Sequence, residues 1–422
     1  MAELSSLSAA AGFRDILFSP EADDIVRRAL QAVRLHLGLQ VAYVSEFVGD
    51  LSVFRAVDAP GLEHLIKPGD ARSLDEVYCR HILAGRLPEL IPDTAAEPLA
   101  MAMPITAAVP IGAHVSVPLR LPDGALYGMF CCLGPQADPS LNARDLGMMR
   151  AFAELAAFQI DRDRRAAQDR DTRASRVRDV LDGEAIDIVY QPIQSMRHGR
   201  TIGLEALSRF PGTPARTPDL WFAEAAAVGL GPELERMAIR RALAALPLIP
   251  QDVYVAVNAS PATVLSGIEA AIEGHAPERI VLEITEHDCV DDFVALTDAV
   301  APLRARGVRL AVDDAGAGHS GLQQILQLRP DLIKLDRFLI HGIQHDPGKR
   351  ALAAALRLFA QETGSRLVAE GVETEGELAM LRALGVDAVQ GYAVARPAPL
   401  ADVLAALEGA GCTARREASP AA

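Results

Sequence analysis

Lysine is nearly absent from this chain. Lys67, Lys334 and Lys349 are the only three among 41 basic side chains, so a lysine inside a motif stands out. Positive charge is also in deficit, with 56 acidic residues and a net charge of −15. That balance excludes non-specific binding to a nucleic-acid backbone, which needs a basic surface. A phosphate-bearing ligand would have to be held locally, by a few cations or by bound metal. The five cysteines, Cys79, Cys131, Cys132, Cys289 and Cys412, form no CxxC pair. An odd, scattered set excludes a disulfide framework and a zinc ribbon. Met1 to Leu17 lacks the basic and apolar regions of a secretory signal. The longest uncharged stretch, Pro98 to Leu119, could cross a bilayer by length alone. Pro98, Pro104, Pro110 and Pro118 interrupt it, and Thr106, His114 and Ser116 make it polar in places. It reads as loop plus strand. These absences predict a cytoplasmic protein with neither a membrane nor a nucleic-acid polymer as partner.

The 422 residues are 50 % hydrophobic and 23 % charged, an ordinary globular composition and too long a chain for one core. Residues 12–160 open with a helical pattern in which Ile25, Ala29, Leu30, Val33 and Leu37 recur at helical spacing. Two hairpins follow. One joins Val41–Val44 to Val53–Val57 through Val48-Gly49-Asp50; the other joins His114–Leu121 to Ala125–Leu133 through Pro122-Asp123-Gly124. A closing helix over Asp145–Ile160 completes a small α+β domain on an antiparallel sheet. Residues 161–182 change to mixed charge without Pro or Gly, which predicts a solvated helical linker. Residues 183–410 alternate strand-like runs with helical stretches. The runs are Asp187–Pro192, Gly203–Arg209, Val253–Asn258, Ile280–Glu286, Val308–Asp313, Leu332–Asp336, Arg366–Glu370 and Ala388–Tyr392. This rhythm predicts a (β/α)₈ barrel of the α/β class. Residues 411–422 read as a disordered tail.

Catalytic groups in such barrels sit at the C-terminal ends of the strands. Those ends here carry Gln191, Glu205 with Arg209, Asn258, Glu283 with Glu286, Asp313-Asp314, Lys334 with Asp336, Glu370 with Glu373, and Gln390. Carboxylates inside apolar runs such as Val281-Leu282-Glu283-Ile284 are expensive to bury unless paired or bound to metal. Several converging on one mouth point to hard divalent cations, and a two-ion site suits phosphoester hydrolysis. Arg209 and Lys334 supply positive charge toward a phosphate, while Gln191 and Gln390 can hydrogen-bond polar substrate edges. Each residue alone has an ordinary structural explanation, such as a turn or cap for Asp313-Asp314. Their order along successive strand ends does not.

Taken with their neighbours these residues make up Tyr190-Gln191-Pro192-Ile193, Glu205-Ala206-Leu207-Ser208-Arg209-Phe210, Val257-Asn258-Ala259-Ser260, Glu283-Ile284-Thr285-Glu286, Asp313-Asp314, Ile333-Lys334-Leu335-Asp336, Ala369-Glu370-Gly371-Val372-Glu373 and Gln390-Gly391-Tyr392. Residues 183–407 resemble an EAL domain, the family of cyclic-di-GMP phosphodiesterases. The resemblance implies hydrolysis of cyclic di-GMP to linear pGpG with two Mg²⁺ or Mn²⁺ ions. It implies Glu205, Asn258, Glu283, Asp313, Asp314 and Glu370 as metal ligands, and Lys334 orienting the attacking water with help from Glu370. Gln191, Leu207, Arg209 and Gln390 would contact substrate; Glu286, Glu373 and Asp336 would support the ligands from behind. The family's Asp-Asp-Phe-Gly-Thr/Ser-Gly-Tyr/Phe-Ser-Ser loop is here Asp313-Asp314-Ala315-Gly316-Ala317-Gly318-His319-Ser320-Gly321. It has lost the Phe, the hydroxyl and the aromatic ring, a change that bears on activity level and regulation.

Residues 12–160 resemble a GAF sensory domain through Ser73-Leu74-Asp75-Glu76-Val77-Tyr78-Cys79, Leu90-Ile91-Pro92-Asp93 and Val117-Pro118-Leu119 followed by Asp123-Gly124-Ala125-Leu126-Tyr127-Gly128. That resemblance implies a small ligand, not identifiable from the sequence, or dimerisation, and a regulated homodimer is the expected assembly. Cys79 reads as a small buried hydrophobe, and Cys131-Cys132 as strand residues facing opposite ways. Two rivals to the enzyme stand: a catalytically silent cyclic-di-GMP receptor, favoured by the altered loop, and a purely structural assembly role, which leaves the strand-end carboxylates unexplained.

Overall fold

Alternation along the first strands sets the N-terminal architecture. The structure, a computed structural model, describes residues 22–212, 216–284, 293–315 and 325–417. Helix α1 (Ala22–Leu37) packs Ala29, Leu30, Val33 and Leu37 into a core. Strands β1 (Val41–Val48), β2 (Leu51–Asp58), β3 (Ala71–Ser73), β4 (Leu90–Ile91), β5 (Ala113–Arg120) and β6 (Leu126–Gly134) form an antiparallel sheet ordered β3-β2-β1-β6-β5-β4. Both hairpins turn through glycines with positive φ, Gly49 and Gly124. Each face of the sheet carries its own core. Cys132 joins the one containing Leu30 and Met149; Cys131 joins Cys79 and Tyr43 on the other. Residues 98–108 differ from the expected loop. They form two short helices, Pro98–Met101 and Pro104–Ala108, each begun by the proline that a helix tolerates at its first position.

Helix α2 runs unbroken from Ala143 to Asp182, and the chain divides into two compact units within it, at Asp169/Arg170. The second unit is a closed barrel. Its strands are β7 (Asp187–Ser195), β8 (Thr201–Arg209), β9 (Tyr254–Ala259), β10 (Ile280–Ile284), β11 (Arg309–Ala315), β12 (Leu332–Leu335), β13 (Arg366–Ala369) and β14 (Ala388–Val389), with β14 pairing back onto β7. A short β15 (Ala398–Pro399) adds to β7. Helices α3 (Pro218–Ala227), α4 (Gly231–Leu243), α5 (Phe293–Ala305), α6 (Pro347–Thr363), α7 (Glu375–Leu384) and α8 (Leu400–Glu417) cover its outside. Strand β7 is antiparallel to β8, β14 and β15, whereas the remaining neighbours are parallel. Residues 196–200 are too few for the crossover that a parallel pair needs, so the first two strands form a hairpin. Helix α8 continues to Glu417, so the chain from 411 to 417 is helical where the sequence reading expects disorder. Among the described residues no helix is long and apolar enough to cross a membrane.

Candidate active site in the barrel mouth

Side chains alternate along each barrel strand, outward ones meeting the helices and inward ones filling the barrel. The inward layer at the closed end is apolar: Ile193, Tyr254, Ala256, Val281, Ala311, Leu332, Val368 and Ala388. Two residues toward the mouth on those strands, the chemistry changes. Val281 gives way to Glu283, Ala311 to Asp313, Leu332 to Lys334, Val368 to Glu370 and Ala388 to Gln390. Asn258 and Glu205 occupy the same inward alternation on β9 and β8, and Glu283 stands in register with Asn258. Gln191 reaches this layer by a different route. Because β7 runs against the others, its N-terminal half faces the mouth, and Gln191 pairs with Glu205.

Lys334 lies at the centre and is 1 % exposed. Its Nζ stands 2.6 Å from Glu370 Oε1, 2.8 Å from Glu283 Oε2, 3.5 Å from Asp313 Oδ2 and 3.6 Å from Glu205 Oε1. Asn258 Nδ2 donates to Glu205 Oε1 at 3.4 Å, and Gln390 Nε2 donates to Glu205 Oε2 and to Gln191 Oε1, the latter at 3.0 Å. Gln191 Nε2 in turn donates to the Ala395 carbonyl. Burial pushes the Glu283 carboxyl up to about 8; Lys334 pulls it down, and the Glu205 and Asp313 charges push it up again. Glu370 is raised well above the carboxylate range, again chiefly by burial. Burial would depress the Lys334 ammonium, but the four carboxylates reverse this and hold it well above its usual value.

The donor set fits a hard divalent cation. Every candidate ligand offers oxygen, none offers thiolate or imidazole, and four carboxyl groups crowd one ammonium, so a divalent cation would offset the burial that holds Glu283 and Glu370 above the carboxylate range. Gln390 Oε1 is buried without a hydrogen-bond partner among the described residues, a further oxygen at the same mouth. As found, the carboxylates turn toward Lys334, and among the described residues no three acidic, histidine or cysteine side chains converge as a preformed metal cage. Asp314 lies in β11 by its backbone. Its side chain, Glu286, and the segment from 316 to 321 with His319 lie outside what the structure describes.

A cleft of about 1180 Å³ opens beside the ring, lined by Leu207, Arg209, Phe222, Asn258, Ser260 and Pro261 among others. Arg209 is exposed, and among the described residues it donates to the Ser208 carbonyl. Asp336 and Glu373 stand apart from the ring in their own contacts. Asp336 caps the short helix Arg337–Ile340 by accepting from Phe338 N–H, and Glu373 pairs with Arg337 at 2.7 Å. The sequence reading misses Glu235, a cleft residue on α4. Its carboxylate accepts from Ser260 N–H at 2.7 Å and Ser260 Oγ at 2.9 Å, two residues beyond Asn258. In the sequence it is one acid on an amphipathic helix, with nothing to separate it from a solvated one.

Comparison with known proteins agrees with this reading. A family model for the EAL domain matches residues 174–397, and one for the GAF domain matches residues 19–161. Cyclic di-GMP phosphodiesterase RocR of Pseudomonas aeruginosa is 30 % identical over 293 residues, 65 % of this chain and 74 % of that one. Cyclic di-GMP phosphodiesterase NbdA of the same organism is 34 % identical over 238 residues, 53 % of this chain. The match spans only 30 % of NbdA, and 37 % of the bifunctional diguanylate cyclase/cyclic di-GMP phosphodiesterase MucR, so this chain covers about a third of those relatives. Among solved structures, the PaMucR phosphodiesterase in complex with c-di-GMP matches with a TM-score of 0.50 at 28 % identity, over 55 % of this chain and 99 % of that one. The EAL enzyme Bd1971, at 22 % identity and a TM-score of 0.53 over 67 % of this chain, shares the fold. The chain belongs to the EAL domain family, through a barrel that follows an N-terminal GAF domain.

Proposed function

We propose that this chain hydrolyses one phosphodiester of cyclic di-GMP, giving linear 5′-pGpG. The observation that carries the proposal is the convergence of four inward carboxylates on one buried lysine, with Asn258 shared between this ring and a neighbouring cleft of about 1180 Å³. The phosphodiesterase names of RocR and NbdA support the same substrate. Glu205, Asn258, Glu283, Asp313, Asp314 and Glu370 would hold two Mg²⁺ or Mn²⁺ ions. Bound there, such ions supply Lewis acidity toward the phosphoryl oxygen and make water a nucleophile near neutral pH.

The chain's own residues do the rest. Lys334, fully charged among its carboxylates, fixes their orientation and presents N–H donors to the attacking water and to charge building up on the phosphoryl group. Glu370, with a raised carboxyl beside Lys334, is placed to hold or pass on the water's proton. Gln390 holds Glu205 in place and is itself held by Gln191, both offering carboxamides to the ligand, and Leu207 and Arg209 contact the ligand from the cleft wall. The GAF domain regulates this activity in the proposed scheme by binding a small molecule. A cavity of about 70 Å³ lies among Tyr43, Phe54, Tyr78 and His114, and such a ligand would have to widen it. A homodimer is the proposed assembly, supported by the exposed apolar Leu155 and Phe158 on α2.

The test is turnover of cyclic di-GMP by the purified chain in Mg²⁺, Mn²⁺ or EDTA, with products separated by chromatography. Metal-dependent pGpG is expected. Tight binding without product in every metal would make the chain a receptor and refute the enzyme.

A further inference from the structure

Glu224 is an acid in the wrong place for a solvated helix. It sits on α3 with its side chain 5 % exposed, between Trp221 and Ala225, in a cluster with Val177 and Val180 of α2 and Leu234, Met237 and Ala238 of α4. A buried carboxylate needs charged partners or it neutralises or moves. Glu224 has two. Arg176, on the last turns of α2, donates from Nη1 to Oε1 at 2.7 Å, and Arg216, in the segment between β8 and α3, donates to Oε2. The Arg216 guanidinium also lies over the Trp221 ring, 5.1 Å from its centroid. Trp221 stacks on Phe210 at 5.2 Å, and Phe210 meets the edge of Phe222 at 5.7 Å. Phe210 follows Arg209 directly, and both Arg209 and Phe222 line the cleft. The end of α2 is also fixed from the other side, where Arg241 of α4 donates to the Ile186 carbonyl at 2.7 Å and to Glu184 at 3.2 Å.

We propose that Arg176 is a positioning residue for the ligand cleft: through Glu224 and Arg216 it holds the Phe210–Trp221–Phe222 stack, and with it Arg209, in the geometry that receives the phosphodiester ligand. The ligand named here rests on the function proposed above; the chain of contacts does not. With Arg176 gone, Glu224 keeps a single cation, Arg216 is drawn fully onto the carboxylate, and its hold on the Trp221 face loosens. Arg209 then samples more positions, and affinity falls while the reacting groups around Lys334 are untouched. The helix that ends the linker thus sets how tightly the barrel holds its ligand.

Trp221 is the only tryptophan in the chain, so its fluorescence reports on this stack alone. The full-length chain would be compared with Arg176→Ala, Arg176→Lys, Glu224→Gln and the Arg176→Ala/Glu224→Gln double variant. Acrylamide quenching of Trp221 and calorimetric binding of cyclic di-GMP in EDTA would both be measured. Arg176→Ala is expected to increase quenching and to weaken binding roughly three- to tenfold, with kcat unchanged in Mn²⁺. Arg176→Lys should recover part of the affinity, and the double variant should be no worse than Glu224→Gln. Quenching identical in all variants would overturn the relay. Increased quenching with unchanged affinity would overturn its link to the cleft. Should the wild type bind no cyclic di-GMP, the proposed function fails, and the quenching comparison still decides whether Arg176 holds the stack.

Discussion

Lys334 keeps its proton because four carboxylates outweigh the loss of water around it, so each removal from this ring has a signed consequence. Lys334→Ala takes away the cation and leaves buried carboxylates facing one another. Breaking a buried pair in this way costs about 3–5 kcal/mol. The expected loss of thermal stability is therefore larger in EDTA than in Mn²⁺, which can replace the missing charge; equal losses would count against the carboxylates as metal ligands. The same variant should lower kcat roughly 10²–10³-fold with little change in KM, because Lys334 acts on developing charge and on the water. His114 in the first unit gives a pH prediction. Burial lowers it to about 4, and its Nδ1 has no partner among the described residues. The unfolded chain therefore binds the extra proton between about 6.5 and about 4, so stability is intact above about 6.5 and falls as pH drops through that window. The shift amounts to roughly 3 kcal/mol. His114→Leu should flatten the loss of melting temperature between pH 7 and 4.5, and an unchanged slope would remove His114 as its source. At this scale the ring was legible because polar residues interrupt apolar strands. Asp336 and Glu373 follow those strands equally closely, yet one caps a helix and the other pairs with Arg337, since a carboxylate just past a strand end serves a cap as well as a ligand site.

The barrel strands explain why the ring side chains all point inward. Inward side chains recur every second residue, so the β9–β10 register puts Asn258 and Glu283 side by side, while on β11 Ala311 stands opposite Glu283 and Asp313 is the next inward residue toward the mouth. The apolar layer beneath must be filled without lifting any strand, and Gly203 is a place where this leaves no room. A Cβ there would come within 2.2 Å of the Tyr254 ring. Gly203→Ala should cost roughly 1–3 kcal/mol by overpacking, read as a lower denaturation midpoint, and should misplace Glu205 two residues on. A midpoint equal to wild type would mean that Tyr254 has room to move. Strand existence was legible from apolar runs with turn residues between them; strand direction was less so. Only the length of the connection distinguishes the β7–β8 hairpin from a crossover pair, and it carries Gln191 to the mouth from the opposite end of its strand. The short helices at 98–108 were hidden for a related reason, since proline breaks a helix in its middle and starts one at its first turn.

Across the molecule, each unit buries its own apolar side chains: two clusters flank the N-terminal sheet, and the others fill and wrap the barrel. Among the described residues each apolar cluster is drawn from one unit, which is why composition and rhythm along the chain revealed two folds, while nothing in the sequence disclosed the Arg176–Glu224 pair within the second. Independent cores predict independent unfolding. Calorimetry should resolve two transitions, one belonging to residues up to about 169 and one to the barrel. A ligand stabilises only the unit that binds it, by about 2.7 kcal/mol at a hundredfold excess over Kd. For a unit of the barrel's size this raises the melting temperature by roughly 5–10 °C. Cyclic di-GMP with Mn²⁺ should therefore move the barrel transition and leave the other in place. The acid sensitivity from His114 should do the reverse, lowering the N-terminal transition below pH 6.5 without touching the barrel. A single transition that moves as one under both treatments would show that the two units fold cooperatively, and the coupling between them would then have to be sought in stability rather than in the cleft.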